Sequence, residues 1–376
     1  MIYFDHAATT PVDSEVIDAI TDVLTNDYGN PSSIYQSGRS ARKIVDDARS
    51  VFANSIHAKP AEIIITSGAT EANNTAIIST AFALKEKGMH LLTTAIEHPS
   101  VLKPMQYLET QGFDVTYLPV DETGRVTVKQ VEDALRPDTI LVSIIYGNNE
   151  VGAINPIKAI GSMLKEHDAY FHTDAVQVYG SLEIDVEAEQ IDLLSVTAHK
   201  LNGPKGIGFL YRNSSIYLPH FLHGGKQEND KRAGTENTAY IHGFAKAIEK
   251  MVANRSKNNA HKLSLKTALV AGLEDKGVEF EVNGMMKEGL PHILNLWLPR
   301  IRSDKFLIQC DLQEIMLSAG SACTAGSLEP SHVLTAMFGE ASPQVRESVR
   351  ISFGKENTLA EVDVLIALIQ RVQQSN

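Results

Sequence analysis

The chain has 376 residues, 43% of them hydrophobic and 21% charged, enough to bury a large core and too much for one small or disordered domain. Thirty-four Lys plus Arg against 46 Asp plus Glu leave a net charge of −12, which argues against a broad basic surface for nucleic acid or anionic membrane. No apolar run approaches the roughly 18 to 20 residues of a spanning helix, and the start MIYFDHAATTPV has neither a basic nor an apolar leader region, so the sequence predicts a soluble cytoplasmic protein.

From about residue 14 to 250 amphipathic stretches (EVIDAITDVL, ARKIVDDARSVFANSI, PIKAIGSMLKEH) alternate with short apolar runs (EIIIT, HLLTTAI, TILVSIIY, AYFHT, IDLLSVTA, GIGFLY). This βαβ rhythm predicts an α/β domain with a mainly parallel, covered sheet over 14–250. Around 251–267 the pattern becomes a polar, cationic helix (MVANRSKNNAHKLSLK), followed by fewer strands, ILNLWLP and VRISFG. A smaller α+β domain is expected from 1–13 together with 251–376. Thr358 and Glu361 form a capping-box pattern that opens the last helix, TLAEVDVLIALIQRVQQ, where the sequence stops.

Five apolar runs end in polar clusters: SGATE, EH, GNNE, TDAVQ and HK. In an open parallel sheet these carboxyl ends face one crevice, the usual ligand position. Ser67-Gly68-Ala69-Thr70-Glu71 follows a strand and opens a helix, which suits either a phosphate cradle or a plain N-cap; it is neither a P-loop nor a dinucleotide fingerprint. Lys200, at a strand end beside a glycine turn, is either a solvated amine or one withdrawn from water and ready to form a Schiff base. Asp174 shifts the balance, because a pyridoxal phosphate site needs a Schiff-base lysine, an acid facing the pyridine nitrogen and a phosphate cradle. Gln177 is placed to reach the same ring. The two cysteines are too few for a disulfide framework and lack C-x-x-C spacing. Cys310, in KFLIQCDLQEIML, fits a packed helix, whereas Cys323, in SAGSACTAGS, is either an incidental thiol or a nucleophile among small residues.

The phrases DHAATTP, NPSSIYQSG, TSGATEANN, EHPSV, GNNEVG, HTDAVQ, AHKLNGPKG, RAGTEN, GSACTAGSLEPSHVL and VRISFG resemble, in order and spacing, the cysteine desulfurases of the class V pyridoxal-phosphate enzymes. The resemblance is to the NifS and IscS group with a long mobile cysteine loop, here about 318–334. YGNNEVG, HKLNGPKG and RAGTENT look closest to Gram-positive members that serve transfer RNA thiolation. It implies a fold-type I transferase whose large domain carries a seven-stranded sheet, and an enzyme that converts L-cysteine to L-alanine and carries the sulfur as a persulfide on Cys323.

By the same resemblance, Lys200 is the Schiff-base lysine and proton acceptor, and His98 stacks on the ring and serves in proton transfer. Asp174 pairs with the pyridine nitrogen, Gln177 with the ring hydroxyl, and Asn149 places ring and substrate. Ala69, Thr70, Thr197 and His199 hold the phosphate, together with Thr235 from the second subunit of a homodimer. Arg350 binds the substrate carboxylate. The implied acceptor is a transfer RNA thiouridylase first and an iron–sulfur scaffold second, without metal, direct nucleic-acid or membrane binding. Three departures stand out: Thr197-Ala198 where relatives often carry Ser-Gly, Asn202 at a position often aromatic or histidine, and no C-terminal extension for scaffold docking. The competing readings are an aminotransferase or selenocysteine lyase of the same fold, a sulfinate desulfinase, and a non-catalytic module. A mobile thiol speaks against the first group, and retention of Lys200 and Cys323 against the last.

Overall fold

The computed structural model describes residues 1–320 and 330–375. Its strands are β1 (Ile2–Tyr3), β2 (Ile63–Thr66), β3 (His90–Thr94), β4 (Asp114–Leu118), β5 (Thr139–Ser143), β6 (Tyr170–Asp174), β7 (Leu193–Thr197), β8 (Gly208–Arg212), β9 (Glu281–Asn283), β10 (Ile293–Trp297), β11 (Ile315–Met316) and β12 (Ser348–Ser352). Seven form one sheet in the order β2-β8-β7-β6-β5-β3-β4. Its pairs are parallel except those of β8, which runs antiparallel to both neighbours. Two reversals around β8 restore the direction, so β2 points the same way as β3, β5, β6 and β7. The five polar clusters therefore leave the sheet along one edge.

The strand chemistry follows from this placement. β2, β3, β5 and β7 are buried at every position, as expected for Ile-, Leu- and Val-rich runs covered on both faces. β4, at the sheet's edge, is exposed to half-buried over DVTY, so the sequence shows no apolar run there. β12, β10 and β9 form a separate antiparallel sheet, and β1 pairs in parallel with β11.

The helix Thr238–Asp275 joins the two packing regions. Its first half sets Ile241, Phe244 and Ile248 into the cluster of the large sheet, where Phe244 lies 4.8 Å from Phe52 between ring centroids. Its second half sets Leu265, Leu269 and Leu273 against Phe4, Leu294, Ile351 and Leu365 under the smaller sheet. The middle of the helix is polar because neither core covers it. The last helix, Leu359–Gln374, opens on the capping box: the Thr358 backbone donates to Glu361 Oε2 (2.8 Å), and the Glu361 backbone to Thr358 Oγ1 (3.3 Å). Among the described residues no helix is long and apolar enough to cross a membrane.

An ion pair with no signal in the sequence secures the outer strand of the sheet. Arg49, on the helix Gln36–Asn54, forks onto Glu228 at 2.7 and 2.8 Å, and both side chains are almost fully buried. Glu228 also accepts the Ile65 backbone N–H of β2 (2.9 Å), and Arg49 donates to Ile63 O (2.7 Å). Removing one partner strands a buried charge, so Glu228→Ala is expected to lower stability by about 3–5 kcal/mol. The urea-unfolding midpoint measures this, and an unchanged midpoint contradicts it.

Candidate active site

The strand ends open onto a cavity of about 590 Å³. It is lined by Ala69, Thr70, His98, Asn149, Asp174, Gln177, Thr197, His199, Lys200 and Arg350, ten of the residues singled out from the sequence. Thr235 does not line it; it is exposed and borders an adjoining small cavity with Ser67 and Gly206. Cys323 lies outside the described residues.

One end of the cavity is a cradle. After β2 the chain turns at Gly68 (φ 146°, ψ −179°), a conformation favoured by glycine, and a helix starts at Ala69. The N–H groups of its first turn have no intrahelical acceptor, and its dipole end is positive. The Gly68 turn lies beside Thr197 Oγ1, so the hydroxyl and the free N–H groups border one space. The lip is braced by Glu71, which accepts the Ser67 backbone N–H (2.8 Å) and a two-pronged bond from Arg232 (2.8 and 3.1 Å). A backbone-donor cradle with a threonine hydroxyl suits a phosphate.

At the other side, Lys200 Nζ donates to Ala7 O (2.5 Å) and Ala8 O (2.6 Å). Burial, followed by the nearby Arg350 charge, lowers its pKa to about 8, with Asp5 and Asp174 opposing. Asp174, 4% exposed at the end of β6, receives Val176 N–H (3.0 Å) and Asn73 Nδ2 (2.7 Å). Asn73 also donates to Ser100 Oγ (2.8 Å), while the Ser100 backbone donates to His98 Nδ1 (3.1 Å). The neutral His98 ring therefore carries its proton on Nε2, and burial lowers its pKa. Gln177 Nε2 donates to Ala7 O (3.0 Å), and its Oε1 meets His292 Nε2 at 3.1 Å.

Arg350, in β12 and 2% exposed, donates to Asn149 O (3.0 Å) and Asp5 Oδ1 (2.8 Å), and its Nε has no partner among the described residues. An arginine with an unused buried donor at a cavity wall is suited to a carboxylate. Glu150 sits beside it, fully buried, with its pKa raised by burial; it accepts Ser331 Oγ (2.5 Å). Arg350 also pairs with Ser318 through the backbone (2.6 and 3.2 Å). The two described ends of the segment that carries Cys323 are thus held at the cavity wall.

Several of these residues carried no signal of function in the sequence. Asn73, Ser100 and Glu150 sat inside phrases read for other positions, and Glu97 read only as the neighbour of His98. Glu97 is fully buried, accepts Ile145 N–H (2.7 Å) and Thr94 Oγ1 (2.8 Å), and is pushed up to about 8 by burial. An acid next to a histidine after an apolar strand was the available signal. Asn202 has a physical explanation: it adopts φ 62°, which asparagine tolerates, and ties down the N-terminal segment through Thr10 Oγ1 (2.8 Å) and Pro11 O (2.9 Å). Cys310, 1% exposed in the helix Ser303–Leu312, is pushed up to about 12 by burial and is an inert core thiol.

A family model described as aminotransferase class-V matches residues 2–365. The chain belongs to the class V aminotransferase family. Within that family it is 53% identical over 361 residues to the "Putative cysteine desulfurase IscS 1" of Bacillus subtilis, covering 96% of this chain and 95% of that protein. It is 42% identical to the "Cysteine desulfurase IscS" of Dictyoglomus turgidum, over 99% of this chain and 95% of the relative. Among solved structures, a "NIFS-LIKE PROTEIN" superposes with a TM-score of 0.93 at 34% identity, over 100% of both chains. The solved structure of "SspA in complex with cysteine" does so with 0.83 at 36% identity, over 95% of this chain and 100% of that one. The large α/β sheet and the smaller antiparallel sheet thus agree with the fold-type I architecture expected from the class V resemblance.

Proposed function

We propose that the chain is a pyridoxal-phosphate-dependent cysteine desulfurase that releases L-alanine from L-cysteine and takes up the sulfur on Cys323. The observation that carries this reading is that Lys200, Asp174, the Gly68–Glu71 cradle and Arg350 line one cavity. The names of the relatives, and the cysteine in the complex of the similar SspA, support the substrate class. The residues fit the cofactor: the cradle and Thr197 suit its phosphate, Asp174 its ring nitrogen, and Lys200 its aldehyde. Bound there, it supplies an electron sink that makes the α-proton of an amino acid removable.

The protein's own groups do the rest. Arg350 Nε and its fork orient the substrate carboxylate, with Asn149 beside it. Lys200 Nζ, partly withdrawn from water, takes the α-proton and returns a proton to the carbon skeleton. His98, which lines the cavity and carries its proton on Nε2, serves in proton transfer. The Cys323 thiolate attacks the substrate sulfur; an S–S bond forms, the Cβ–S bond breaks, and its electron pair stays on the carbon skeleton, which protonation converts to alanine. Gly320 is three residues from Cys323 and packs against Glu150 at the cavity wall. The protein works as a cytoplasmic homodimer in which Thr235 completes the partner's phosphate cradle. The sulfur acceptor is a transfer RNA thiouridylase or, second, an iron–sulfur scaffold.

Two results test the assignment. Arg350→Gln should raise the KM for cysteine about 10- to 100-fold, the worth of a 1.5–3 kcal/mol bond to a charged group, while the cofactor stays bound. Equal KM removes Arg350 from substrate binding. The pH dependence of cofactor uptake tests Lys200. A lysine condenses only when neutral, and an ordinary amine of pKa near 10.5 is only about 0.3% neutral at pH 8. With the Lys200 pKa lowered to about 8, uptake of cofactor by the apoprotein should rise with pH, reach half its plateau near pH 8 and level off above it. A rise that continues to pH 10 contradicts the burial of Lys200.

A further inference from the structure

Adjoining the cofactor cavity lies a second chamber of about 400 Å³. Lys200, Val176 and Gln177 line both spaces. The rest of the second wall comes from the N-terminus, the turn after β6, Leu201 and Asn202, the middle of the long helix, His292, and residues 353–356. Its charge is out of keeping with a chain of net charge −12: five lysines line it against two acids, Asp13 and Glu356.

Those acids are already engaged. Asp13 accepts Lys250 at 2.6 Å and Lys355 at 2.5 Å, and Glu356 lies 3.6 Å from Lys355. Lys257 and Lys262 are left without a hydrogen bond or ion pair to any described residue. At the chamber wall His6 is 6% exposed, its ring is packed on Gly354, and its Nδ1 has no partner among the described residues. His292, 8% exposed, is held by Gln177 and Ser181. Burial first, then neighbouring positive charge, drives the protons off: His6 is lowered to about 4 and His292 also lies well below its ordinary value. Burial lowers Lys262 as well. A chamber with two unpaired ammonium groups, whose two acids among the described residues both lie against Lys355, is complementary to an anion.

We propose that this chamber is a second ligand site that binds a small phosphate monoester, with its phosphate between Lys257 and Lys262 and beside His6. Among the described residues its cationic lining is all lysine, and lysines bind phosphate as point charges, which suits its compact double charge. The volume lies within the range of small-ligand pockets and leaves room for an organic body beyond the phosphate. The site is independent of the desulfurase reading. Because Gln177 and Lys200 form part of its wall, a bound ligand sits directly behind the cofactor-holding groups.

The test is titration calorimetry of the cofactor-loaded protein at low ionic strength, with glycerol 3-phosphate and with inorganic phosphate as separate probes. Loading fills the phosphate cradle, so the remaining heat reports the chamber. The expected result is one saturable site per chain. Tighter binding of the monoester supports an organic phosphate as occupant, and equal binding supports the free anion at the same site. Lys257→Met with Lys262→Met should weaken binding at least tenfold without changing cysteine turnover. Lys257→Met alone, a surface change that leaves the fold intact, should weaken it at least threefold. No saturable heat with either probe, or undiminished affinity in both variants, overturns the proposal.

Discussion

Lys200→Ala is expected to leave a folded protein that forms alanine from cysteine about 10³-fold more slowly or worse, within the range lost with a positioned acid–base group. The same change should remove the visible colour of the lysine-bound cofactor, because it takes away the amine held at the Ala7 and Ala8 carbonyls. Among the described residues, Lys200 Nζ bonds to the carbonyls of Ala7 and Ala8, which hold the side chain without neutralising it. Methylamine added to the variant should restore part of the rate, since it replaces the missing base without restoring the tether. A variant that keeps both colour and turnover removes Lys200 from the mechanism, whatever else lines the cavity.

Cys323→Ser separates sulfur transfer from cofactor binding. None of the described groups that line the cavity is altered, so the cofactor should load as in the parent and cysteine should still change the visible spectrum on binding. A serine hydroxyl cannot accept a sulfur atom to form a persulfide, so alanine and sulfide formation should fall by about 10³-fold, within the range over which loss of a catalytic group acts. Cys310 cannot substitute, being buried with its thiol pushed up to about 12. Undiminished turnover in this variant would leave the aminotransferase or lyase alternative standing.

Much of this site was legible in the sequence because it is built from strand ends. The sequence carried EIIIT, TILVSIIY and IDLLSVTA as apolar runs, and the clusters that follow them had to meet once those strands were parallel. Residues that act from one segment on another were not legible. Glu228 holds β2 from 163 positions away, and nothing local marks it. Asn73 links Asp174 to Ser100 across three separate segments, although it lies only two positions from Glu71 in the phosphate-cradle phrase. β4 escaped notice because an edge strand need not be apolar. The lysine chamber combines residues 6, 262 and 292, which come together only when the long helix passes from one core to the other.

The desulfurase reading is most directly tested by mass spectrometry of the cofactor-loaded protein before and after L-cysteine, without reductant and with alanine assayed in the same tube. The expected result is one added sulfur on the peptide that contains Cys323 and alanine in matching amount. An unmodified Cys323 peptide with no alanine, from protein that still holds its cofactor, would contradict it.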